Sequence, residues 1–306
     1  MSDNTIVKHE QGLEQLKQLV TDSLTSLNSR VAYDKALTDF LAWYQSTGQR
    51  GLIKATVAEY KTYLQGLGYA PSTINQRLSA IRKLAIEAAD NGLMDAQLAN
   101  GVARVRGITS SGVRTGNWLT KEQAQRLLDA PDITTLKGLR DRAILAVMLG
   151  AGLRRSEVAA LTFEHIQQRE GRWVIVDLIG KGKRVRTVPI PSWAKQAIDE
   201  WTQTAGISEG RIFRAVNKGD RLAGESLTSQ AVQDVVKLYA KQCGFELAAH
   251  DLRRTFAKLA RKGGADLMQI QLTLGHASVK TTERYLGENQ DLTSAPCDVL
   301  GLKLYQ

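Results

Sequence analysis

Residues 101–117, GVARVRGITSSGVRTGN, divide the chain into two stretches of different character. Four glycines, three arginines and a scatter of Ser and Thr leave neither a helical period nor an alternation. Such a connection argues against one continuous core across all 306 residues. We expect a helical domain over 1–107, a linker at 108–117 and a second domain over 118–306. Arg104, Arg106 and Arg114 could follow a phosphate backbone as the chain crosses it.

Before the break the sequence reads as helix. SLNSRVAYDKALTDFLAWYQSTG spaces Val31, Leu37, Phe40, Leu41 and Trp43 helically and stops at Thr-Gly. About the first twenty residues form an arm ahead of it, and TVAEYKTYLQGLG repeats the pattern after it. Residues 72–90 place Ile74, Leu78, Ile81, Ala85 and Ala88 on one face. The other side carries Asn75, Gln76, Ser79, Arg82 and Lys83. Amide and basic groups suit phosphates and base edges in a major groove, and they also suit plain solvent.

After the break the types mix. Thr120 is placed to cap the helix in WLTKEQAQRLLDA, and LKGLRDRAILAVMLG is a helix running into Gly150 and Gly152. RWVIVDLI and RVRTVPIP are β-rich and flank GKGK, a hairpin signal. Helices resume at about 193–204 and 228–242 and continue through the C-terminal third. The predicted fold is mainly α with a small antiparallel sheet: an N-terminal helical bundle and a C-terminal α+β domain.

Charge narrows the partners. The net charge is +10, with 13 Lys and Arg against 10 Asp and Glu over 1–117 and 28 against 21 beyond it. Both stretches are basic, which favours an extended surface for a polyanion. Cys243 and Cys297 are too few for a disulfide framework. MSDNTIVKHE lacks the apolar run of a signal peptide, and no segment has the roughly 20 apolar residues of a membrane span. The expectation is a soluble cytoplasmic protein with no membrane partner.

Four short stretches hold residues that could do chemistry. AGLRRSEVAAL sets Arg154 at a corner between helices, where it could point into a cleft or neutralise helix-end carbonyls. GKGKRVRTVPI puts Lys181 and Lys183 in or beside a turn, as mobile proton donors or as edge protection. It lacks the order of a P-loop. AAHDLRRTFAKLARKGG makes neighbours of His250 and Arg253 at a helix N-terminus, a setting for phosphate. Its apolar stripe is Leu252, Phe256, Leu259 and Ala260. LGHASVKTTERYLG places His276 just past a helix ending at Gly275, with Thr281 or Thr282 capping the next helix near Tyr285. Each residue alone also admits a purely structural reading. His250 and His276 lack the spacing and third ligand of a metal site.

In order along the chain, GLRRSE, GKGKR, HDLR and LGHASVKTTERY together resemble the tyrosine recombinase (phage integrase) family, its simple Xer-like members most closely. The resemblance covers about 118–290, and the N-terminal helices look like the family's core-binding domain. It implies a clamp-like enzyme around DNA that cuts and rejoins strands without metal, nucleotide or other cofactor. Tyr285 matches the nucleophile and His250 the general acid/base. Arg154 and Arg253 match the phosphate-binding pair, His276 an added phosphate hydrogen bond, and Lys181 the donor to the leaving 5′-oxygen.

The implied partners are double-stranded DNA with paired recognition sites, a homotetramer formed on that DNA, and accessory proteins. We expect the arm to be too short for the separate arm-site domain of larger integrases, and the tail ending CDVLGLKLYQ, apolar enough to pack, to dock on a neighbouring subunit. Rival readings are a type IB topoisomerase and a non-catalytic architectural DNA-binding protein.

Overall fold

The computed structural model describes residues 10–48, 51–109, 117–180 and 185–286. The chain divides into two compact units, Met1–Val113 and Arg114–Gln306. Thirteen helices and one three-stranded antiparallel sheet are described, so the fold is mainly α with a small sheet.

The first unit holds α1 (Glu10–Asp22), α2 (Leu27–Ser46), α3 (Lys54–Gly66), α4 (Pro71–Asp90) and α5 (Ala96–Ala103). Pro71 sits at the start of α4, where its missing N–H costs nothing. The stripe expected on this helix is the stripe that is buried, with α1, α2, α3 and α5 packed around it. Phe40, Trp43, Tyr44, Tyr60 and Tyr63 form a ring cluster between α2 and α3, with centroids 4.9–6.1 Å apart.

Three expectations are corrected here. The arm contains α1, whose Leu16 and Val20 are core residues. Val31 is 64% exposed, because the first turn of α2 lies beyond the cluster that buries Leu37 and Phe40. Residues 101–103 are helical and close α5, which Asp95 caps by accepting from the Gln97 and Leu98 N–H groups.

In the second unit, α6 (Lys121–Asp129) begins at Thr120 in a reciprocal cap with Gln123. Helix α7 (Leu136–Ala151) is buried along most of its length and is packed by α6, α9 and α11. It runs through Gly150, where a Cβ would press on Pro191 and Trp193, and ends at Gly152 with φ +61°. A short α8 (Arg155–Ala160) follows.

The sheet has order β1 (Ile166–Arg169), β2 (Arg172–Ile179), β3 (Val185–Pro189). β1 went unpredicted: IQQR has little β signal and is held by pairing with β2 through the Glu170–Gly171 turn. The expected hairpin strands pair with Ile179 opposite Val185. Then come α9 (Ser192–Thr204), α10 (Ser229–Gln242), α11 (Ala249–Lys262), α12 (Leu267–Leu274) and α13 (Val279–Leu286).

Candidate active site

The site is built on helix ends. Gly152 turns the chain left-handed after α7, so Arg154 begins α8. Glu157, at the third position of α8, accepts from the Arg154 backbone N–H at 2.8 Å and from its Nη1 at 2.7 Å. Glu157 therefore caps α8 and also fixes the Arg154 side chain.

On α11, Asp251 accepts from the Ala248 N–H at 2.9 Å, and Gln233 of α10 accepts from the Ala249 N–H at 3.1 Å. These bonds set His250 in the first turn, exposed, with Arg253 one turn on. Arg253 is 1% exposed, so the buried face of α11 is wider than its apolar stripe. Its Nη1 donates to the Gly152 carbonyl at 2.6 Å and its Nη2 to the Leu274 carbonyl. One guanidinium thus holds the C-terminal ends of α7 and α12 together.

Gly275 (φ +62°) ends α12, and His276 follows. The His276 Nδ1 lies 2.9 Å from the Thr282 hydroxyl, which is fully buried. That contact corrects the capping role expected of Thr282. Helix α13 already starts at Val279, which puts Tyr285 in its second turn. The helix packs on α11 and α12. The Tyr285 side chain lies outside the described residues, as do Lys181 and Arg114.

Four of the six candidate residues influence one another electrostatically. Desolvation, then Arg253, Arg154, His250 and Arg186, brings the His276 pKa down to about 4. Desolvation, then Arg253 and Arg254, also lowers that of His250, against an opposing pull from Asp251. Both imidazoles are therefore neutral near pH 7 beside two cations. Among the described residues, no three His, Cys, Asp or Glu side chains gather to hold a metal ion.

Two participants were not foreseen. Glu157 is buried; burial pushes its carboxyl up, but bonds from Arg186 and from the Arg154 N–H, with both guanidinium charges, hold it below its ordinary value. Arg186 of β3 donates to both Glu157 oxygens, at 2.9 and 2.8 Å. The three-residue step from Arg154 to Glu157 could have flagged the first. No local signal marks Arg186, whose partners lie far off in sequence.

The proposed DNA-contacting face of α4 is already occupied. Asn75 donates to the Ile108 carbonyl at 2.9 Å and accepts from its N–H at 2.8 Å, while Arg82 donates to the Val105 carbonyl. Gln76 donates to the Ala32 carbonyl at 3.2 Å, Ser79 to the Asn75 carbonyl at 2.9 Å, and Lys83 pairs with Glu87 at 2.9 Å. Asn75 and Arg82 hold the outgoing chain against α4, so these two side chains have a structural part on this face. Arg104 and Arg106 are exposed.

The phage integrase family model matches residues 117–291, and the phage integrase N-terminal SAM-like domain matches residues 13–92. The chain belongs to the phage integrase family. This integrase is 30% identical to tyrosine recombinase XerC of Myxococcus xanthus, over 81% of its own length and 83% of that protein's. Against tyrosine recombinase XerD of Pseudomonas aeruginosa the identity is 29%, over 84% and 86%.

Among solved structures, the integrase shares its fold with XerH site-specific recombinase bound to palindromic difH substrate in a post-cleavage complex. The TM-score is 0.69 at 19% identity, covering 94% of this chain and 83% of that one. A lambda integrase dimer bound to a COC′ core site gives 0.67 at 17%, covering 91% and 78%. The integrase is a site-specific DNA recombinase, and no described helix is long and apolar enough to cross a membrane.

Proposed function

We propose that Tyr285 attacks a DNA phosphodiester, forming a 3′-phosphotyrosyl link and freeing a 5′-hydroxyl. A phenol of pKa near 10 must lose its proton as it attacks, and the neutral imidazole of His250 is the base that takes it. Arg154 and Arg253 neutralise the non-bridging oxygens as charge builds on them. His276, neutral, donates one hydrogen bond to the same phosphate. Lys181 protonates the departing 5′-oxygen. The covalent link conserves the energy of the broken bond, so the second strand's 5′-hydroxyl can reverse the chemistry without a nucleotide cofactor.

The observation that carries this reading is the His276 environment, where Arg154 from the start of α8 and Arg253 and His250 from the first turns of α11 all act on one ring. We assign DNA handling to both units, with functional limits of 1–107 and 118–306 around a linker at 108–117. Arg104, Arg106 and Arg114 run along the phosphates there. Four copies assemble on two paired sites and pass strands through a Holliday junction.

The test is a nicked suicide DNA carrying a candidate site. Wild type should accumulate a covalent adduct, and Tyr285→Phe should bind the DNA and form none. Adduct in the variant would remove Tyr285 from its role. Relaxation of plasmid lacking any defined site would favour the topoisomerase reading instead.

A further inference from the structure

Arg186 is a cation at this site that the mechanism above does not use. It is the second residue of β3, paired opposite Leu178, and its side chain is 8% exposed. Its three donor atoms are divided among two other parts of the fold. Nη1 and Nη2 grip Glu157 in a two-pronged ion pair at 2.9 and 2.8 Å, and Nε donates to the Thr273 carbonyl in the last turn of α12 at 2.9 Å. Glu157 in turn holds Arg154 at both its backbone and its guanidinium. The stem of Arg186 also lies under the turn that leads to His276: a Cβ at Gly275 would come within 2.9 Å of Arg186 Cδ.

From these contacts we propose that Arg186 is a positioning residue for strand cleavage. It locks the base of the β2–β3 hairpin, which leads to Lys181, to the Arg154 corner and to the His276 turn. The inference rests on the roles proposed above for Lys181 and Arg154.

The geometry is specific to arginine. A planar fork matches both carboxylate oxygens while a third donor reaches a carbonyl. Lysine offers the same charge from one atom and cannot span all three. Arg186→Lys therefore keeps Glu157 neutralised, which protects the fold, but loosens the register between hairpin and corner. A proton donor on a loosened hairpin serves poorly, whereas cations on the fixed corner still bind phosphate.

The experiment compares two suicide DNAs in single-turnover cleavage. One has an ordinary scissile phosphate; the other has sulfur at the bridging 5′ position, a leaving group that departs without a proton. Arg186→Lys should bind site DNA within about twofold of wild type and cleave the ordinary strand about tenfold or more slowly, a part of the roughly 10²–10⁴-fold that a positioned general acid contributes. On the sulfur-bridged strand its rate should return to within about threefold of wild type. Unchanged cleavage, loss of binding together with cleavage, or an equal loss on both DNAs would overturn the proposal.

Lys181→Ala, run alongside, separates this from the mechanism it rests on. Rescue of that variant by sulfur supports the donor reading; failure of rescue overturns that reading, while Arg186 is judged on its own pair of rates.

Discussion

His276 shows how the surroundings of one side chain decide its chemistry. Its ring is partly desolvated, faces Arg253 and Arg154, and has Nδ1 against a buried threonine hydroxyl. The pKa falls from 6.5 to about 4, so the native ring stays neutral where the unfolded ring takes up a proton. The stability tied to this neutral ring is complete above pH 6.5. It is lost as pH falls from 6.5 toward about 4. The unfolding temperature should drop between these pH values, and His276→Gln should remove part of that drop while keeping a hydrogen-bonding side chain. Identical pH slopes for the two proteins would contradict the assigned environment.

At the scale of elements, the site depends on how three helices end. Gly152 must adopt φ +61°, and a Cβ there would lie 2.7 Å from Phe256 Cδ1 and 3.1 Å from Leu274 Cδ2. Gly152→Ala therefore strains the backbone and wedges α7 away from α11 and α12, at a cost of about 1–3 kcal/mol. Thermal unfolding should move down by about 2–10 °C, and an unchanged transition would show that the turn tolerates the methyl group.

The same helices show what can be read from sequence. Stripes such as Ile74–Leu78–Ile81 on α4 and signals such as Thr120 were legible because both are local consequences of helical geometry. The corner at Arg154 and the turn before His276 were legible as breaks marked by glycine. Arg253 as a strut between two helix ends was not legible, since Gly152 and Leu274 meet it only in the folded chain. The internal bonds of the α4 polar face were not legible for a related reason. Asn75 and Arg82 look like surface residues until residues 105–108 fold back over them. Gly107 permits that fold, since a Cβ there would sit 2.4 Å from Asn75 Oδ1.

At the scale of the molecule, a basic chain in two units carries both family matches, one on each unit. Net charge of +10 suits a DNA polyanion and makes binding weaken as salt rises. The tetramer proposed above needs contacts between copies, and we propose that the chain after residue 286 supplies one. Truncation after Ser294 should weaken pairing of two DNA sites while leaving single-site binding intact, measured by gel shift with one and two labelled sites. Equal pairing by the truncated chain would contradict the assignment.

The most direct test of the whole account is where the DNA becomes attached. Wild-type protein trapped on nicked suicide DNA can be digested with protease and the nucleotide-bearing peptide sequenced by mass spectrometry. The account predicts a 3′-phosphate on Tyr285 and a free 5′-hydroxyl on the released strand. Attachment to any other residue, or through a 5′-phosphate, would contradict it.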